Sequence, residues 1–228
     1  MRKTLSIILK FLVSLAALTG VIIGFFNAQI TGYASWDKTL LYFTTQSNLW
    51  IGLTLLVLAL YLTFTKQQSE KVLKALYVLK LIFTISITIT GLIYCCLLAP
   101  FADETYRPWS IESILVHVVC PTLSIVDFFV DDYKIVYTIK ERVFAYIPPL
   151  CYFVIALILG ACGVTFRGEE TYPYFFMNFK SQVGLFGFKF EGLFEMGAIY
   201  WIIVIILLIF GLGALYAGIK NKQTKRAK

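Results

Sequence analysis

One histidine, His117, occurs in the 228 residues. A metal centre built on several imidazoles is therefore excluded. The five cysteines, Cys95, Cys96, Cys120, Cys151 and Cys162, form no C-x-x-C pair, since Cys95 and Cys96 are adjacent. All lie in or beside apolar stretches and are expected to be small buried apolar side chains. No metal and no organic cofactor is implied. Charge is also scarce, at 14% of residues against 59% hydrophobic, with a mean hydropathy of +0.81. A soluble domain of this length needs more polar surface to cover its core. No Ser-, Pro- or Gly-rich linker, internal repeat or low-complexity segment divides the chain, so residues 1–228 read as one membrane domain. The net charge of +7 sits in short clusters between apolar runs. That is an orientation signal for a membrane protein, and nucleic-acid binding is not expected.

What the sequence does have is apolar length. A helix needs about 20 apolar residues to cross the hydrocarbon core of a bilayer. Six stretches qualify: 5–26, 39–64, 73–98, 111–131, 142–163 and 193–219. Backbone polar groups must pair internally in lipid, and the runs lack the alternation of barrel strands, so all six are expected to be helices. The opening Met1-Arg2-Lys3 before an apolar run resembles a signal peptide. The run continues to Phe26 without a small-residue cleavage site, which predicts an uncleaved first helix.

Basic residues alternate between the connections. Fourteen fall on the side of the two termini and five on the other: Lys38, Arg107, Arg167, Lys180 and Lys189. The positive-inside rule then predicts that both termini are cytoplasmic. Lys80 lies within a run and is expected to snorkel or to be paired internally. The fifth connection is the longest and carries Tyr172-Pro173-Tyr174-Phe175-Phe176. It either caps an outward-facing cavity or lies on the membrane at headgroup level.

Polar side chains in a membrane helix are costly and usually face the bundle interior. Phe43-Thr44-Thr45-Gln46-Ser47-Asn48 opens the second run, and Thr44, Ser47 and Asn48 share one face. The fourth run carries Ser113, His117, Pro121 and Ser124, again on one face. Pro121 has no N–H, so the His117 carbonyl is expected to lose its helical partner and the helix to kink there. Pro148-Pro149 should kink the fifth helix in the same way. In the predicted topology Thr44 and His117 both lie about 8–9 Å below the outer edge, at 1.5 Å per residue. A hydroxyl and the one imidazole at equal depth suit a nucleophile and its general base. The orienting third group is open among Glu112, Asp103 and Glu195. Asn48 could donate to a developing oxyanion. Ordinary interhelical hydrogen bonding accounts for the same polar residues equally well. Asp127, Asp131 and Asp132 form an acidic patch too far from His117 to orient it. Asp127 is expected to pair with Lys134, Lys140 or Arg142.

Three strings then carry a resemblance. Tyr42-Phe43-Thr44-Thr45-Gln46-Ser47-Asn48-Leu49 is similar to the signature of the bacterial Pr6Pr-type membrane proteins. Leu115-Val116-His117-Val118-Val119-Cys120-Pro121, with Asp127 following, resembles their histidine helix. Tyr172-Pro173-Tyr174-Phe175-Phe176 resembles their aromatic loop. That group resembles in turn the androgen-induced and androgen-dependent TFPI-regulating proteins, which hydrolyse fatty-acid esters of hydroxy fatty acids with one Thr and one His. The resemblance implies Thr44 as nucleophile and His117 as base. Thr45 is the neighbour that a one-residue shift would select.

The expectation is an all-α, six-span membrane bundle acting as a hydrolase or acyltransferase on a lipid ester in the outer leaflet of a bacterial plasma membrane. Ser47, Asn48 and Glu195 would support the site, and Tyr174 and Phe175 would contact substrate. The rivals are a small-molecule or ion transporter, for which no inverted repeat is visible, and a non-catalytic binding or scaffold protein.

Overall fold

The computed structural model describes residues 2–28, 36–100, 107–189 and 196–226. Among these the chain is helical, with only two isolated bridges, Arg167 with Glu170 and Phe188 with Met196. The helices are α1 (Arg2–Phe26), α2 (Trp36–Thr39), α3 (Phe43–Phe64), α4 (Glu70–Ile93), α5 (Ile111–Ile114), α6 (Cys120–Val130), α7 (Ile139–Val143), α8 (Ile147–Ala161) and α9 (Ala198–Arg226). A π-turn, Tyr94–Leu98, ends α4, and a second, Leu115–Val119, joins α5 to α6. A 3-10 turn, Phe144–Tyr146, joins α7 to α8.

Six continuous segments are long and apolar enough to cross a membrane: Lys3–Phe26, Phe43–Phe64, Glu70–Leu98, Ile111–Val130, Ile139–Ala161 and Ala198–Arg226. Their bounds differ from those read from hydropathy. The second begins at Phe43 rather than 39, because α2 and a turn at 40–42 occupy the stretch before it. The sixth begins later and runs on through the basic tail to Arg226, where lysines suit a helix C-terminus. Large apolar side chains such as Leu15, Phe210 and Leu150 are exposed around the outside. Such a surface is unfavourable in water and is what a lipid-facing bundle presents.

Helices α1, α3, α4 and α6 form the close-packed centre, and α4 is the hub. In α4's apolar window 61% of residues are buried, against 17% and 22% for the last two spans. The last two spans therefore flank the core rather than complete it. They reach it chiefly through α4 and the 3-10 turn, where Ala145 is fully buried. Pro148 and Pro149 sit in the first turn of α8, where a missing N–H costs least. The irregularity they cause is the 3-10 turn just before them.

Small residues let the centre pack closely. A Cβ on Gly91 would stand 2.9 Å from the His117 carbonyl oxygen and 3.1 Å from Pro121. One on Gly20 would stand 2.6 Å from Val116 Cγ1. Helix α8 ends in a Schellman motif. The Val164 N–H reaches the Leu159 carbonyl at 3.0 Å, and the Gly163 N–H reaches that of Gly160 at 3.1 Å. Gly163 takes φ +83°, a conformation that favours glycine. This turn launches the loop that roofs the site. Lys38 holds it from the other side, donating to the Thr165 carbonyl and, at 3.0 Å, to its hydroxyl.

Candidate active site

Thr44 is the second residue of α3. The first N–H groups of a helix have no partner within it. Tyr42, at the N-cap, offers no side-chain cap. The Tyr174 hydroxyl stands over this end, near the main-chain N–H groups of Phe43 and Thr44 and near the Thr44 hydroxyl. Burial pushes the Tyr174 pKa up, against the hydrogen bonds from Thr44. The phenol therefore keeps its proton. The Tyr152 hydroxyl approaches Tyr174 but makes no well-formed hydrogen bond.

These three hydroxyls stand at one end of a cavity of about 310 Å3. Its walls are mainly apolar side chains of α3, α4, α8 and α9, and among the described residues no charged one lines it. Tyr174, Phe176 and Met177 form its roof. The aromatic loop thus caps a cavity, and the side of the membrane that this cavity faces rests on the charge pattern alone. Phe175, expected to touch substrate beside Tyr174, does not line the cavity. It is turned edge-on to Trp201, 5.5 Å between ring centroids, and Phe176 and Met177 stand in its place. A one-dimensional reading of the loop could not tell which aromatics turn inward.

The rest of the polar face of α3 points into the core. The Ser47 and Thr90 hydroxyls meet at 2.9 Å, which ties α3 to α4. The Asn48 amide donates to the Thr44 carbonyl at 2.9 Å and to the Val116 carbonyl at 3.1 Å. Its Oδ1 has no protein partner, and the residue is fully buried. Thr45 is half-buried and does not line the cavity.

His117 lies in the second π-turn. Its Nδ1 is 3.0 Å from the Ser113 carbonyl. A carbonyl only accepts, so Nδ1 carries the hydrogen and Nε2 of the neutral ring keeps its lone pair. The ring stacks on Tyr94 from the first π-turn, with centroids 3.5 Å apart and planes 9° from parallel. Two π-turns thus meet at the histidine, and such turns are frequent at functional sites. His117 is buried and is not among the residues lining the cavity.

The Pro121 expectation is corrected. The Cys120 N–H bonds to the Leu115 carbonyl in π fashion. In that register the Val116 carbonyl, not that of His117, faces the missing N–H of Pro121. Asn48 supplies the lost donor from α3.

The charged residues are also arranged differently from expectation. Asp127 pairs with Lys10 at 3.0 Å and with Lys80 at 2.6 Å, not with Lys134, Lys140 or Arg142. Asp131 pairs with the same lysines at 2.6 and 2.8 Å. Tyr77 donates to Asp131 at 3.0 Å, and Lys220 donates to its carbonyl. Burial alone would raise the Asp131 pKa, but Lys80 and Lys10 hold it well below the usual carboxylate range. This clasp joins α1, α4, the end of α6 and α9, and the cavity does not reach it. Lys10 and Lys220 lie among the fourteen basic residues on the side of the termini, and pairing over 117 or 89 residues leaves no local signal in the sequence. The cysteine expectation is corrected as well. Cys120 is buried, whereas Cys95, Cys96, Cys151 and Cys162 lie on the outside of the bundle. Glu195 and Asp103 lie outside the described residues. Comparison with known proteins found no matching family model, curated protein or solved structure.

Proposed function

We propose that the protein is an intramembrane hydrolase or acyltransferase of lipid esters, with Thr44 as nucleophile and His117 as general base. The observation that carries this reading is a threonine hydroxyl opening onto an uncharged, apolar cavity, beside a protonated tyrosine and the N-terminus of a helix. Thr44 Oγ1 attacks the ester carbonyl carbon and its proton passes to His117 Nε2. The oxyanion is stabilised by the Tyr174 hydroxyl and by the partial positive charge at the start of α3. Collapse expels the alcohol, which takes the proton from Nε2. Water then attacks the acyl-threonine, giving its proton to Nε2, and the proton returns to Thr44 as the acid departs. In an acyltransferase a second alcohol takes the place of that water. With the termini cytoplasmic by the positive-inside rule, the site lies in the outer leaflet of a bacterial plasma membrane.

A second reading is lipid binding without chemistry. It is favoured by His117 being stacked on Tyr94 and absent from the cavity wall. Labelling of purified protein with a fluorophosphonate probe separates the two. Hydrolysis predicts labelling that is lost in Thr44→Ala and His117→Ala and kept in Thr45→Ala. Loss only in Thr45→Ala moves the nucleophile by one residue. No labelling of folded wild-type protein leaves the binding reading.

A further inference from the structure

The cavity has a side door. Helices α8 and α9 both pack on the 3-10 turn at Phe144–Tyr146, and among the described residues they make no extended contact with each other. Leu150 of α8 and Ile206 of α9 line the cavity and are also 60% and 47% exposed. A residue that faces both the cavity and the outside marks the rim of an opening. This rim lies within two membrane-crossing segments. On the loop side Tyr174, Phe176 and Met177 roof the cavity, and the first two rings stack at 5.0 Å.

The wall on α9 runs from Ile202 to Ile209, about 10 Å of helix at 1.5 Å per residue. Its far end is mostly apolar, and the one hydroxyl there, of Tyr146, donates to the Ile206 carbonyl at 3.4 Å. Its near end holds the hydroxyls of Thr44, Tyr152 and Tyr174 at the start of α3. The volume, about 310 Å3, is at the small end for ligand sites. Among the described residues that line it, no lysine or arginine is present to hold a phosphate.

We propose that the occupant is a single acyl chain, entering sideways from the membrane between α8 and α9, with its carbonyl held at the start of α3 by Tyr174 and Thr44. The hydrocarbon tail lies along Ile202–Ile209, and any phosphate headgroup stays outside. This rests on the cavity being the substrate site of the proposed hydrolase. The carbonyl belongs either to a free fatty acid or to an ester, since both present the same acceptor oxygen to these donors.

The test uses the full chain in phosphatidylcholine vesicles with two probes, a palmitic acid carrying a mid-chain diazirine and its methyl ester. Crosslinked peptides are mapped by mass spectrometry. Crosslinks are expected on the stretch 202–209 and around Leu150. The pair Leu150→Trp and Ile206→Trp should lower them roughly tenfold, whereas Leu15→Trp on the outside of α1 should not. Thermal unfolding checks that each variant is folded. Ester turnover is followed in the same wild-type vesicles without irradiation, so mapped crosslinks without turnover count against the hydrolase reading alone, and the failure of one reading remains distinct from a failure of the other. Labelling by the acid alone or by the ester alone identifies the source of the carbonyl. Crosslinks spread evenly over the outside of the bundle, or unchanged by the two tryptophans in folded protein, overturn the proposal. So does hydrolysis of a short water-soluble ester that the tryptophans slow as much as they slow a long-chain one.

Discussion

The side-chain amide of Asn48 donates to the main-chain carbonyl of Val116, 68 residues away, at 3.1 Å. That carbonyl is left over by the π-turn and by Pro121. A single amide therefore joins the start of α3, which carries Thr44, to the turn that carries His117. Replacing Asn48 by Ala leaves a buried carbonyl without a donor, which costs about 1–3 kcal/mol. Unfolding of Asn48→Ala in detergent should show that loss. Stability equal to wild type would mean that the carbonyl finds another donor.

Gly91 faces the His117 carbonyl, and a methyl group there would stand 2.9 Å from that oxygen. Gly91→Ala should destabilise the bundle by about 1–3 kcal/mol through overpacking. Gly24→Ala meets nothing within 4 Å and serves as the control. The test is a shift in melting temperature for the first variant and little or none for the second.

The clasp of Lys10, Lys80, Asp127 and Asp131 is buried at every member. Removing one partner strands a charge, so Lys80→Met should cost about 3–5 kcal/mol. A change this large is read from the denaturant midpoint. The combined variant Lys80→Met with Asp127→Leu should recover part of the loss.

Asp131 also sets a pH dependence. Its folded pKa lies below its unfolded value. A lowered folded pKa means that the carboxylate stabilises the fold above about pH 4 and loses that contribution as pH falls further. Wild-type stability should therefore change little through Asp131 between neutral pH and about pH 5, then fall steeply in more acidic buffer. In Asp131→Asn the acid-dependent drop should be smaller, measured as melting temperature against pH.

Tyr174→Phe removes the hydroxyl that stands over the start of α3 beside Thr44. If the site is hydrolytic, ester turnover should fall by about 10²–10³, the usual effect of losing one oxyanion donor. Crosslinking by the lipid probe should fall less than in the tryptophan pair, because one carbonyl partner is lost while the apolar walls are unchanged. A turnover equal to wild type would remove Tyr174 from the chemistry.

Hydropathy alone determined much of this protein. Runs of about 20 apolar residues can only be helices in lipid, and the six segments follow from them. The polar faces of Thr44-Ser47-Asn48 and Ser113-His117-Pro121-Ser124 were legible because helical spacing is local. The tertiary structure decided what those faces meet. It turned Ser47 and Asn48 into ties between helices, placed Thr44 on a cavity and left His117 stacked on Tyr94. It also drew Lys10, Lys80 and Lys220 onto two aspartates of another segment. Each of these depends on which helices are neighbours and how they are rotated. A period of 3.6 residues defines a face but does not say which other helix that face will touch.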